Sequence, residues 1–160
     1  ERVYQKVKEG LQQLSKQLDQ EGIKIQLRPE TTGKATQWGD IDEILRLSEE
    51  LEKVQPCIDF SHLYARTIGK INGYQEFSNI LSKVETSLGK DGLNDLHLHI
   101  SGINYGPKGE RNHLNLKECD FKYKELLKAL KDFKCRGVVV CESSNIERDA
   151  LLMQKEFLKL

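Results

Sequence analysis

No apolar run in the sequence approaches the roughly 18 to 20 residues that span a bilayer, and the segment beginning at Glu1 carries no apolar signal. A membrane role and a secretory route are not expected, and the chain reads as cytoplasmic. Paired cysteines are also missing. Cys57, Cys119, Cys135 and Cys141 form no C-x-x-C pair and match no zinc-finger spacing. They read as free thiols of a reducing compartment, with Cys57 and Cys141 filling apolar runs. The formal net charge is zero, so a nucleic-acid-binding role lacks a global basic footprint and must rest on local charge. There is no G-x-G-x-x-G and no P-loop, which disfavours nucleotide cradling by glycine turns.

What is present is an ordinary soluble composition, 31% charged and 38% hydrophobic over 160 residues. That length suffices for one domain with a sizeable core. After a leading helix at 2–20, with Val3, Val7, Leu11, Leu14 and Leu18 at helical spacing, the pattern strand-then-helix repeats four times. The expected strands are 23–29, 56–60, 95–100 and 137–141. The expected helices are 41–53, 74–88, 121–133 and 146–158. Asp40 and Glu43 resemble a capping box, and Val138-Val139-Val140 suits a fully buried parallel strand. Long loops follow the strands, at 31–39, 64–73 and 101–115. Alternation of this kind argues for a parallel sheet whose chemistry lies beyond the strand C-termini.

Each expected strand ends in metal-competent side chains: Glu30, then Asp59 and His62, then His97 and His99, then Glu142. One carboxylate at a strand end is usually a solvated loop residue, and His97 alone reads as a core or supporting residue. The set is harder to dismiss. Glu30, Asp59, His99 and Glu142 converging on one small volume would repel strongly, and a divalent cation is the simplest remedy. Three carboxylates and one imidazole form a hard set suited to zinc, manganese or magnesium. The loops also hold Lys34, Arg66, Lys70, Lys108 and Arg111, either solvated or forming a phosphate-facing rim. Trp38, Tyr64 and Tyr105 either stack on bases or anchor the loops.

The segments Glu30-Thr-Thr-Gly, Cys57-Ile-Asp-Phe-Ser-His62, His97-Leu-His99-Ile-Ser, His113-Leu-Asn-Leu-Lys-Glu118 and Val140-Cys-Glu142 resemble, in order and spacing, the endonuclease IV family, in particular its archaeal branch. The resemblance covers the whole chain. It implies a TIM-barrel hydrolase that cleaves double-stranded DNA 5′ to abasic sites in base excision repair. The implied cofactor is a cluster of two or three divalent metals, zinc or else manganese. By resemblance, Glu30 bridges two metals, Asp59, His99 and Glu142 complete one, and His62 and His113 hold another. Glu30 and Glu142 are the implied catalytic carboxylates, and Glu118 matches an acid of the family's loop. The family also takes an aspartate two residues before the loop histidine. Arg111 stands there in this chain, with Glu110 beside it as the substitute.

An endonuclease IV barrel has eight strands. The resemblance therefore identifies residues 1–160 as the last four βα units, the C-terminal half of a (β/α)₈ barrel. The N-terminal half is then expected in cis or on a second chain, and the isolated half is expected to be inactive. Two other readings stand beside this one. One is a single-metal sugar isomerase or epimerase of the xylose-isomerase-like barrels. The other is a non-catalytic barrel relative, for which Arg111 is the best support.

Overall fold

The computed structural model describes residues 1–160. Its centre is a three-stranded parallel sheet of β1 (Cys57–Asp59), β2 (Leu96–Ile100) and β5 (Gly137–Cys141), in the order β1-β2-β5. The connections are helical, through α3 (Phe60–Arg66) and α4 (Tyr74–Asn94) and then through α5 (Tyr123–Asp132). The leading helix is α1 (Arg2–Gln20), α2 (Ile41–Glu50) precedes the sheet and α6 (Glu147–Phe157) follows it. Asp40 caps α2 in the expected box, its side chain accepting from Glu43 N while Glu43 bonds back to Asp40 N. No helix is long and apolar enough to cross a membrane.

Strand alternation sets the two faces of this sheet. In β2, Leu96, Leu98 and Ile100 are buried while His97 and His99 are only partly so. Together with Ile58 of β1, the three apolar residues pack with Phe77, Leu81 and Val84 of α4 and Leu126, Leu127 and Leu130 of α5 into one core. The residues between them fall on the opposite face, where parallel register sets Cys57 beside His97 and Asp59 beside His99. One face therefore supplies stability and the other chemistry.

The sheet has three strands rather than the expected four. The segment 23–29 lies parallel to the lead-in of β1 through two isolated bridges, Leu27 with Val54 and Glu30 with Cys57. Ile23 and Ile25 are 39% and 53% exposed, and Pro29 has no N–H to give a ladder. The long loop expected at 101–115 is instead an antiparallel hairpin, β3 (Gly102–Gly106) and β4 (Gly109–Leu114), turning at Pro107-Lys108. Gly109 takes the positive φ (94°) that this turn needs.

β5 is not the fully buried strand its valines suggested. Val138 and Val139 are 47% and 42% exposed. The strand lies at the sheet's edge, beside an apolar cavity of about 430 Å³ lined by Leu98, Leu130, Met153 and Phe157 among others.

Candidate metal centre

The strand-end residues converge. One ligand atom from each of Glu30, Asp59, His99 and Glu142 falls within 4.8 Å of the others. His99 Nδ1 lies 3.1 Å from Glu30 Oε1 and 3.2 Å from Glu142 Oε1. Asp59 is fully buried, and its Oδ2 has no hydrogen-bond partner. A buried unpartnered carboxylate oxygen costs several kcal/mol unless something positive fills the space it faces. Burial, followed by the charges of Glu30 and Glu142 working against the help of His62, pushes the Asp59 carboxyl up to about 6.

A second cluster adjoins the first. Asp59, His62 and His113 form another set within 4.8 Å. His62 lies in the first turn of α3, not at a strand end as expected. Its backbone N–H donates to Asp59 Oδ1, which caps the helix. Its Nδ1–H forks between Thr31 O at 2.9 Å and Glu30 Oε1 at 3.2 Å. This fixes the tautomer and turns Nε2 toward His113 Nε2, 3.5 Å away. His113, on β4, is oriented in the same way by its Nδ1–H donating to Glu142 O at 3.0 Å. Burial works against the charged form of His62, but the bond to Glu30 and the charge of Asp59 outweigh it and lift the imidazole to about 9. Glu30 responds in kind and is held below its usual range, chiefly by His62. The pocket therefore favours a positive charge at this point.

Glu110 belongs to this second cluster although it lies outside the tightest donor set. Its carboxylate reaches to 3.5 Å from His62 Nε2 and 3.8 Å from His113 Nε2. A β-bulge makes this reach feasible. Along the hairpin Ile103 pairs with His113 and Asn104 with Asn112, but Tyr105 pairs with Glu110, leaving Arg111 as the extra residue. The slip puts Glu110 on the His113 face and leaves Arg111 exposed, its guanidinium over Gly106. Glu110 N also donates to Gly33 O, tying the hairpin tip to the loop after Glu30.

The remaining expected residues divide by what they touch. Arg66 spends its guanidinium on Thr32 Oγ1, Lys34 O and Gln37 O, bracing the 31–39 loop. Lys70 and Lys108 are exposed and Lys34 partly so. Tyr64 is buried edge-on against Tyr105, and Trp38 packs with the small core of α1 and α2 beneath. All three therefore anchor loops. Glu118 closes a capping box with Asn115. Cys57 is buried as expected, but Cys141 is only partly so.

Three hydroxyls went unrecognised in the sequence, those of Thr31, Ser61 and Ser143. Thr31 Oγ1 accepts from Asp59 N at 2.9 Å and reaches Asp59 O at 3.3 Å. Ser61 Oγ accepts from Ser101 N and donates to Ser101 O, and Ser143 Oγ accepts from Gly102 N. Each follows a candidate ligand by one or two residues: Thr31 after Glu30, Ser61 after Asp59 and Ser143 after Glu142. That recurrence was the available signal. These hydroxyls continue the stitching between strands past the point where the backbone ladder ends.

The donor chemistry fits divalent metal. An orphaned buried carboxylate oxygen, two imidazoles with Nε2 turned inward and further carboxylates around them suit zinc or manganese.

A family model described as xylose isomerase-like TIM barrel matches residues 1–159. The chain is 52% identical over 157 residues to the uncharacterized protein MJ0133 of Methanocaldococcus jannaschii. That alignment covers 98% of the chain and 57% of the relative, so the chain spans little more than half the relative's length.

Proposed function

Because the chain belongs to the xylose isomerase-like TIM-barrel family, a largely enzymatic one, we propose that it carries most of the metal site of an abasic-site endonuclease of the endonuclease IV type. The observation that supports this most is the second cluster. A sugar isomerase quartet needs Glu30, Asp59, His99 and Glu142 around one cation. It has no use for His62, His113 and Glu110 gathered beside it.

Glu30 would join the two clusters: its Oε1 accepts from His62 Nδ1–H at 3.2 Å, holding that ring, and lies 3.1 Å from His99 Nδ1. Divalent cations held there acidify water and offset charge on phosphoryl oxygens. The protein's own part is to hold donors in place. Asp59 is locked by Thr31 and the α3 N-terminus, His62 by Thr31 O and His113 by Glu142 O. Lys34, Lys70, Lys108 and Arg111 form the rim that meets the DNA backbone, as contacts that position the duplex without reading sequence. An abasic nucleotide is cheap to extrude because it has no base to unstack. The first half of the barrel, in cis or on a second chain, completes the site.

The test uses the full-length protein and duplex DNA with one abasic site. The reading predicts incision 5′ to the lesion, lost on chelation and lost in Glu142→Gln. Chelator-sensitive ketose interconversion without incision would instead favour the isomerase reading.

A further inference from the structure

Beneath the quartet, on the same face of the sheet, lies a second donor set, two of whose members, Cys57 and His97, the proposed nuclease does not use. Cys57 stands directly across from His97 in the β1–β2 register, two residues below the Asp59–His99 pair. The Cys57 sulfur and one nitrogen from each of His97 and His99 lie within 4.8 Å of one another. The His97 and His99 rings are 5.3 Å apart between centroids. Cys57 is 3% exposed, while His97 is only partly buried and leaves an approach.

This set differs in kind from the one above it. The quartet is rich in carboxylate oxygen and suits hard or borderline ions. One sulfur and two imidazoles favour softer ions such as Zn²⁺ and Cd²⁺. Three protein donors also leave an open fourth position on a tetrahedral ion. His99 is common to both sets. A neutral imidazole has one lone pair to give, so His99 serves one ion at a time.

We propose that Cys57, His97 and His99 form a thiophilic metal site that competes with the quartet for His99. Occupying it forms a sulfur–metal bond and releases the thiol proton to solvent. An excess of a thiophilic ion then takes His99 from the quartet, and an excess of a hard ion keeps it there. The site needs neither DNA nor the nuclease reaction, so a failed incision assay leaves it standing and a failed binding assay leaves the nuclease reading standing.

The test is titration of the metal-free full-length protein with Cd²⁺, read by the ultraviolet charge-transfer band of a thiolate–cadmium bond. The wild type is expected to gain the band. Replacing Cys119, Cys135 and Cys141 together by Ser is expected to keep it, and Cys57→Ser to lose it. A band absent from the wild type, or present in Cys57→Ser, overturns the proposal. Because Cys57 is buried, a second variant guards against misfolding. His97→Gln keeps the thiol and should weaken Cd²⁺ by at least the roughly 10- to 100-fold that even a supporting residue is worth. Unchanged affinity in a folded His97→Gln protein overturns the site. Saturating Mn²⁺ should raise the Cd²⁺ concentration needed, and no such shift overturns the shared use of His99.

Discussion

His62 and His113 are 51 residues apart in sequence, yet their Nε2 atoms face each other at 3.5 Å, each ring held by a backbone carbonyl on its Nδ1 side. With His62 lifted to about 9, the metal-free protein keeps a proton where these two lone pairs meet. A cation bound there takes over that role. The pH behaviour of the fold follows from this exchange.

Metal-free protein should lose stability as pH rises. His62 titrates near 6.5 unfolded and about 9 folded, so its contribution is complete below 6.5 and is lost on the way to 9. Asp59 acts with the same sign at lower pH, its contribution falling between 3.8 and about 6. Glu30, whose folded value is depressed, opposes this at the acid end. The expected drop from about pH 6 to about pH 8.5 is on the order of 2 kcal/mol. Metal binding needs deprotonated ligands and should strengthen over the same range. Thermal melts with and without Mn²⁺ at the two pH values should therefore diverge as pH rises.

The bulge makes Glu110, not Arg111, the acid of the second cluster. Glu110→Ala should lose one equivalent of bound metal and about 100-fold or more in incision rate, since even supporting residues cost roughly 10- to 100-fold. Arg111→Ala should keep the full metal count and weaken only the salt-sensitive part of DNA affinity. Elemental analysis of the dialysed variants separates the two.

Thr31 has no exposed surface and bonds Asp59 on both its N–H and its carbonyl. Thr31→Val keeps the shape and removes both bonds. The expected cost is about 1 to 3 kcal/mol of stability, together with a roughly tenfold or larger loss of metal affinity. Calorimetric titration with Mn²⁺ gives both the affinity and the stoichiometry.

Asp149 is 3% exposed, yet it lies at the start of α6, away from the donor clusters. It accepts from Leu116 N at 2.7 Å and Asn145 Nδ2 at 3.1 Å, and Asn145 N in turn donates to Asn115 Oδ1. These bonds fasten the end of the hairpin to the turn after Glu142. Asp149→Ala should cost about 2 to 3 kcal/mol and disturb His113 before His99. Histidine proton spectra of the variant would register that order.

Much of this site was legible because its ligands follow a simple rule of position. Asp59, His99 and Glu142 come at the ends of apolar strands and Glu30 at the end of an apolar segment, and Leu-His-Leu-His-Ile states its two faces outright. The strand 23–29 misled because its isoleucines alternate correctly but are left exposed, so pattern alone overcounted. The hairpin stayed hidden because Gly102, Gly106, Pro107 and Gly109 read as loop, whereas only Pro107 falls in the turn and the three glycines pair within the strands. The role of Arg66 was equally hard to foresee. Its partners are carbonyls up to 34 residues away, and backbone oxygens leave no mark in a sequence.

The extra residue in β4 bears on how such sites change over generations. Removing Arg111 alone would restore regular alternation and leave Glu110 two residues before His113, still facing it. A single-codon insertion or deletion there is thus close to silent for the chemistry, although an alignment would score it as a broken motif. Where ligands sit on a strand that tolerates a bulge, descent can shift the spelling of a metal site by one letter without emptying it.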